Sequence, residues 1–433
     1  MKHTVKLGLI GFGTVGTGVA KILYGSQKPH LRGRSFDIEL VKISDLDITT
    51  NRGVDVPVGV LTTDVNEILN DPEISIVIEL IGGYEPARTF TLEAFAQGKS
   101  MVTANKALIA KHGSELFRAA AKANVSYMFE ASVGGGIPIL RNIVDGLNAN
   151  VIQSVYGILN GTTNYILTGM ARDGLGYGEV LARAQELGYA EADPTSDVSG
   201  EDALNKIIIL ARLAFGATLE PDKVYCEGIE NVTIQDIEYA RELGYTIKLL
   251  AIAKRHDDGR IEVRVHPTLM PSDSVMASVE DEFNAVEIFG DAVGREIFYG
   301  KGAGMMPTAS AVVSDVMDIA SRTIVGSPTN VSRIVAGDDE PELVHIGDVK
   351  LRYYLRFTAR DRPGVLAAIS KVFADENISI ESVIQKGTAE GDYVPIVITT
   401  HEAREGAMQQ AMKQFKKLDT VRGNVQLIRI EYV

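Results

Sequence analysis

The chain of 433 residues has one cysteine, no apolar run long enough to cross a bilayer and no excess of basic side chains. Each absence removes a class of protein. A lone Cys226 builds neither an internal disulfide framework nor a cysteine-based zinc site. With no Cys or His motif beside it, it reads as a small packed side chain rather than a nucleophile. Such cysteine usage suits the reducing cytoplasm. No stretch of ~18 uninterrupted apolar residues occurs, so no membrane span is expected. The start, MKHTVKLGLIGFGTVGTGVAKIL, superficially resembles a secretion signal, but patterned glycines interrupt it and it runs into Lys21 without a cleavage site. A net charge of −14, with no basic stripe, argues against a general nucleic-acid binder. It leaves room for a locally positive site that takes a small anion.

What is present is ordinary for a globular protein: 45% hydrophobic and 23% charged residues, in a length that suits two or three domains. Over residues 1–130, β-rich runs (VKLGLI 5–10, DIELVKIS 37–44, ISIVIELI 74–81, KSMVTA 99–104, VSYMFEAS 125–132) alternate with helical segments. That alternation predicts parallel pairing through right-handed crossovers, an α/β fold with a doubly wound sheet. From 131 to 304 long helices mix with strands, the pattern of an α+β domain. An apolar-striped helix near 305–325 is expected to return to the first domain. Residues 326–348 read as a linker. Residues 349–433 follow β-α-β-β-α-β, a separate ferredoxin-like unit.

Gly11-Phe12-Gly13-Thr14-Val15-Gly16 matches G-x-G-x-x-G between a strand and a helix, the context in which the motif binds a dinucleotide. The first glycine permits the turn, the second admits the pyrophosphate and the third lets helix and strand approach. The helix N-terminus adds free N–H groups and partial positive charge. The end of the second strand leaves NAD and NADP both open. Asp45 there can hold a ribose 2′-hydroxyl or merely shape a turn, while Ser44 and Arg52 can receive a 2′-phosphate if Asp45 points away.

Residues 191–206, EADPTSDVSGEDALNK, crowd carboxylates ahead of an apolar helix. Ser199 and Asp202 have the form of a capping box. On a helical wheel Glu201, Asn205 and Arg212 share a polar stripe, whereas Lys206 aligns with Asp202, Ile209, Leu210 and Leu213. A lysine on an apolar stripe needs a partner or a function, because an unpaired buried ammonium is costly. Lys106, in VTANK, follows the fourth β-run, where ligands gather in open α/β sheets; it can polarise a carbonyl or start a surface helix. The stretch Glu130 to Pro138 sets one carboxylate before three glycines, a cation loop or a hinge, with the hinge favoured on chemistry alone.

At this point the residues resemble the homoserine dehydrogenase family, in the bacterial form with a C-terminal ACT domain. The most specific part is Ala184-x3-Gly188-Tyr189-Ala190…Asp193-Pro194-x2-Asp197-Val198-x-Gly200-x-Asp202-x3-Lys206; NGTTNYILT, VTANK and GKGAGMMPTASAVVSD are also family-like. The resemblance implies NAD(P)-dependent interconversion of L-homoserine and L-aspartate 4-semialdehyde in threonine, methionine and isoleucine biosynthesis. It implies that Lys206 and Lys106 are catalytic, and that Glu191, Asp202, Asp197, Thr162 and Tyr189 hold substrate. Thr103, Lys106, Gly188 and Gly302 join the glycine loop, Ser44 and Arg52 at the cofactor. It turns the hinge into a sodium site made by Glu130, Val133, Gly135 and Ile137. LRFTARDRPGVL (355–366) resembles the start of an ACT domain, so Asp361, Gly364 and Asn377 are effector contacts, with threonine the natural effector. The resemblance also implies a homodimer or homotetramer, with 131–304 the α+β substrate-binding and dimerisation domain. No N-terminal kinase region is seen, so a bifunctional form is not expected. The rivals are another two-domain nicotinamide oxidoreductase and an amino-acid sensor with a vestigial nucleotide fold. The first, if phosphorylating, needs a nucleophilic cysteine; the second does not need the two lysines and Asp202.

Overall fold

A computed structural model describes residues 3–25, 34–324, 326, 341–386 and 393–432. The chain divides into two compact units. The first comprises Met1–Val155, Asn205–Lys223 and Asn284–Pro341; the second comprises Tyr156–Leu204, Val224–Phe283 and Glu342–Val433.

In the first unit a six-stranded parallel sheet runs in the order Leu61–Thr62, Phe36–Ser44, His3–Ile10, Ile74–Glu79, Ser100–Thr103, Tyr127–Met128. This is the doubly wound α/β fold the alternation predicts, and its order reverses between His3–Ile10 and Ile74–Glu79. Leu7, Leu9, Ile76 and Ile78 are buried, as both faces of such a sheet are covered. The two-residue edge strand Leu61–Thr62 has no counterpart among the expected strands, being too short to show periodicity. The run 125–132 shortens to Tyr127–Met128 before a 3₁₀ turn at Glu130–Ser132. The chain leaves the sheet there because the Glu130 N–H donates to Asp315.

The helix Met305–Ile324 does return to the dinucleotide fold, lying against Thr14–Tyr24. The two approach at Gly18, where an added methyl would sit 2.7 Å from the Met305 carbonyl oxygen and 2.9 Å from Ala309 Cβ. Val312, Val316 and Ala320 complete the core with Val19 and Leu23.

In the second unit the strands Tyr245–Arg255, Ile261–Pro271, Gln426–Ile430, Lys350–Arg360, Tyr393–Thr400 and Ile380–Gln385 lie side by side in that order. The tail has the β-α-β-β-α-β order, with helices Val365–Asp375 and Glu405–Phe415 over a core in which Phe357, Phe373 and Phe415 pack edge to face. It is not a bead on a string. Its last strand pairs in parallel with Ile261–Pro271, Thr268 facing Arg429 and Leu269 facing Ile430. Of the expected linker, 327–340 lies outside the described residues. Its end joins the sheet, the Ile261 N–H donating to Glu342 O and the Val344 N–H to Ile261 O.

Candidate active site

The glycine loop is built as its motif requires. Gly11 has φ +100, and a methyl added there would lie 2.7 Å from the Leu80 carbonyl. One added at Gly16 would overlap the Gly11 carbonyl oxygen, whereas Gly13 faces open space. Gly13 precedes the helix Thr14–Tyr24 without any side-chain cap, so the loop keeps its N-terminal donors for a ligand. Thr14 and Val15 form the first helical positions. The Phe12 N–H donates to Asp45 at 2.5 Å, and the Gly11 N–H to the Ser44 carbonyl at 2.8 Å. Arg52 lies 5.0 Å over the Phe12 ring and 3.6 Å from Asp45. Asp45 is thus turned into the loop, with Arg52 beside it. Open space beside Gly13 and a helix with no side-chain cap fit a dinucleotide phosphate.

Beyond the fourth principal strand, Thr103 is buried and its hydroxyl donates to Glu79 at 2.7 Å. Glu79 also accepts the N–H groups of Ile81 and Gly82. Asn105 caps the next helix by accepting from Leu108 N–H, which places Lys106 as the first residue of Lys106–Ala123. Glu79 and Asn105 went unmarked in the sequence. Only Asn105, an N-cap residue type directly before a helical pattern, left a local signal.

Gly302 is buried, and a methyl on it would overlap the Asn284 amide. That amide is itself buried, with neither its nitrogen nor its oxygen hydrogen-bonded. Such an orphan needs a partner. Opposite lies the Gly134–Gly136 bend. Gly135, at φ +54, would carry a methyl 2.6 Å from the Gly302 carbonyl, and the Gly136 N–H donates to Lys301 O.

Glu130 is buried, and its carboxylate accepts the N–H groups of Leu140 at 2.9 Å and Arg141 at 2.8 Å. Burial raises its pKa. Asp315, fully buried beside it, accepts from the Glu130 N–H and from Arg141 and is pushed up to about 8, chiefly by burial. Each Glu130 carboxylate oxygen already accepts one N–H, so backbone carbonyls of the loop make up most of what it can offer a cation. The Ile137 carbonyl already accepts one bond, from Ile139 N–H at 2.8 Å. No cluster of three or more His, Cys, Asp or Glu groups that could hold a metal occurs among the described residues.

In the second unit the acidic stretch is organised by a residue the wheel could not reveal. Asn160 caps the helix Gly161–Asp173 through its Oδ1, and its Nδ2 donates to Asp197 at 2.7 Å and to Asp202 at 2.8 Å. The Thr162 hydroxyl lies 2.7 Å from the Tyr189 carbonyl and 3.1 Å from Asp197. The Tyr189 ring stacks obliquely on Tyr165, 4.9 Å between centroids. Gly188, at φ +77, turns the chain out of the helix Tyr177–Glu186, and Glu191 is exposed. One amide therefore draws together Asp197 and Asp202, two carboxylates suited to a substrate ammonium.

The capping box at Ser199 does not form. Ser199 ends the short helix Thr195–Val198, and Gly200, at φ +87, precedes the helix Glu201–Phe215. Asp202 accepts from Asn160 instead. Of the expected polar stripe only Glu201 is exposed; Asn205 and Arg212 are buried, as are Asp202 and Lys206. This helix is covered nearly all round, so its wheel could not separate solvent from core. Arg212 donates to Ser114 at 2.9 Å and stands 5.5 Å over the Phe117 ring. The unit boundary falls inside the helix, with Asp202 on one side and Lys206 on the other.

Cys226 donates weakly to the Ser199 carbonyl at 3.4 Å, and burial pushes its thiol up to about 11, the reverse of an activated nucleophile. In the tail, Gly364 (φ +91) opens the helix Val365–Asp375, Asn377 (φ +57) follows it, and Asp361 accepts from Gln385; all three are exposed.

Comparison with known proteins adds a second line of evidence. Residues 11–130 match the family described as homoserine dehydrogenase, NAD binding domain; 138–317 match homoserine dehydrogenase; and 353–420 match the ACT domain. A homoserine dehydrogenase of Synechocystis is 45% identical, covering 99% of each chain, and that of Pseudomonas aeruginosa is 44% identical over 99% of each. The crystal structure of a Thiobacillus denitrificans homoserine dehydrogenase superposes with a TM-score of 0.93 at 42% identity over 100% of both chains. A hyperthermophilic archaeal homoserine dehydrogenase in complex with NADPH covers 75% of this chain and 99% of its own, with a TM-score of 0.62 and 25% identity.

Proposed function

This chain belongs to the homoserine dehydrogenase family, an oxidoreductase acting on a CH–OH group with NAD(P), and we propose the roles that its own residues play in that reaction. The observation that supports the assignment most directly is Asn160 holding Asp197 and Asp202 together one helical turn before the buried Lys206. The two carboxylates, with Glu191, Thr162 and Tyr189, bind the ammonium and the polar groups of L-homoserine. A bound dinucleotide would supply the hydride chemistry between the alcohol carbon and the aldehyde. Lys206 takes the hydroxyl proton in one direction and delivers it to the developing alkoxide in the other; Lys106 polarises the same oxygen. Gly11, Gly13, Gly16, Thr103, Gly188 and Gly302 hold the cofactor, with Arg52 the residue that meets a 2′-phosphate.

Three finer readings go with this. Backbone carbonyls of Val133, Gly135 and Ile137, with Glu130, hold a sodium ion. Asp361, Gly364 and Asn377 take threonine in a feedback-regulated, oligomeric enzyme of cytoplasmic threonine, methionine and isoleucine biosynthesis. The cofactor is NADP wherever Arg52 releases Asp45.

Following absorbance at 340 nm with L-homoserine and each oxidised cofactor, with and without threonine, tests the reading. A homoserine-dependent rise is expected with at least one cofactor, and threonine is expected to lower its rate. No rise with either cofactor would leave the amino-acid sensor as the better account.

A further inference from the structure

Arg429 lies on the last strand of the tail and is 1% exposed. Its guanidinium donates to both oxygens of the buried Glu405, at 3.0 and 2.6 Å. It also donates to Glu227 at 2.7 Å and to the Tyr225 hydroxyl at 2.8 Å, and it stands 4.6 Å over the Tyr225 ring. The Tyr225 hydroxyl in turn donates to Glu227 at 2.7 Å. Glu405 is held in turn by the Tyr353 hydroxyl at 3.0 Å and Gln409 at 2.7 Å, and through this network the tail grips the short strand Tyr225–Cys226 and the residue after it.

That segment's other side faces the substrate stretch. The Ile229 N–H donates to the Val198 carbonyl at 2.9 Å, and Cys226 Sγ donates to the Ser199 carbonyl. A methyl added at Gly228 would overlap the Val198 carbonyl oxygen, and one added at Gly200 would stand 3.0 Å from Cys226 Sγ. The segment is anchored in register as well: Tyr225 and Cys226 pair with Arg264 and Val265, and the Glu227 N–H donates to Val265 O. Residues 225–229 therefore fill the space between Arg429 and the turn Val198–Gly200, which directly joins Asp197 to Asp202.

We propose that Arg429, Tyr225 and Glu227 are positioning residues for substrate binding, a strut through which the regulatory tail sets the turn bearing Asp197 and Asp202. The inference rests on those carboxylates holding homoserine. None of the three needs to touch substrate. Releasing the Tyr225–Glu227 end lets the 225–229 segment drift and loosens the turn at Val198–Gly200. The strut's bonds run to the turn Val198–Gly200, between Asp197 and Asp202, so its effect falls on the amino-acid substrate and not on the cofactor.

The test uses the full-length enzyme with Tyr225→Phe, Glu227→Gln and the double variant, the buried Arg429 being left in place so that the fold survives. Michaelis constants for L-homoserine and for cofactor are measured beside the thermal midpoint, with Asn160→Ala as a control on the site itself. Each single variant is expected to raise the homoserine KM roughly 3- to 10-fold with cofactor KM within about twofold. The double variant is expected to resemble the singles, because members of one network are not additive. Unchanged homoserine KM in both singles, or equal rises in both Michaelis constants, would overturn the strut. If Asn160→Ala also leaves the homoserine KM unchanged, the substrate site itself is misassigned.

Discussion

At the scale of single residues, chemistry follows from what a side chain is bonded to rather than from its type. Asn160 shows this. As one amide among many it carries no catalytic signature, yet it donates to both Asp197 and Asp202. Replacing it with alanine removes one donor from each of the two carboxylates and the bridge between them. The Asn160→Ala enzyme is expected to bind homoserine at least about 10-fold more weakly, the order of a lost hydrogen bond to a charged group, with cofactor affinity unchanged. Initial rates against homoserine concentration measure this; an unaltered KM contradicts it. Cys226 makes the opposite case. Its thiol is raised to about 11 and only packs against the Ser199 turn, so Cys226→Ser is expected to keep kcat within about twofold. A collapse in kcat would revive a covalent mechanism.

At the scale of elements, strand–helix alternation made the doubly wound sheet legible, because a parallel sheet needs a crossover for every pairing. The glycine loop was legible for a related reason. Backbone geometry at Gly11 and close approach at Gly16 leave no room for a side chain, so function is written into residue type. Gly16→Ala, whose methyl would overlap the Gly11 carbonyl oxygen, is expected to raise cofactor KM about 10-fold or more and to spare homoserine affinity once cofactor saturates. Equal loss for both ligands would show that the helix had shifted as a whole. What stayed illegible has physical causes too. The helix Glu201–Phe215 is covered nearly all round beyond its first residue, so of the polar stripe on its wheel only Glu201 meets solvent while Asn205 and Arg212 are buried. The Ser199 cap failed because Gly200, free to take a positive φ, ends one helix and begins the next. Parallel pairing of Thr268 with Arg429 joins residues far apart in the chain, which no local pattern records.

At the scale of the whole molecule, the C-terminal ACT tail is part of the second unit's sheet, and that changes how its role is tested. Cutting away residues after 350 removes Glu431, which pairs with the buried Arg264 at 2.6 Å and with Lys254 through the same carboxylate. Loss of threonine sensitivity in a truncated chain would then report damage as readily as regulation. Asp361→Ala, at an exposed site, is the cleaner variant; it is expected to keep basal activity and to lose threonine inhibition. The same junction contains His266, fully buried, whose pKa is held well below the usual range by burial and by Arg429 and Arg264. Its folded pKa is lowered, so the stability of keeping it neutral is present above about pH 6.5 and is lost as pH falls below that value. The loss is at most about 1.4 kcal/mol per pH unit. Thermal midpoints between pH 7.5 and 5.5 are expected to fall more steeply in the native chain than in His266→Gln; parallel slopes would contradict this.

The central claim is that Lys206, buried one turn after Asp202, moves the proton while the glycine loop independently holds the cofactor. Measuring Lys206→Ala turnover at 340 nm alongside its cofactor dissociation constant tests it directly. The account expects kcat to fall at least about 10³-fold with cofactor affinity within about twofold of native. Near-native kcat in this variant would contradict it.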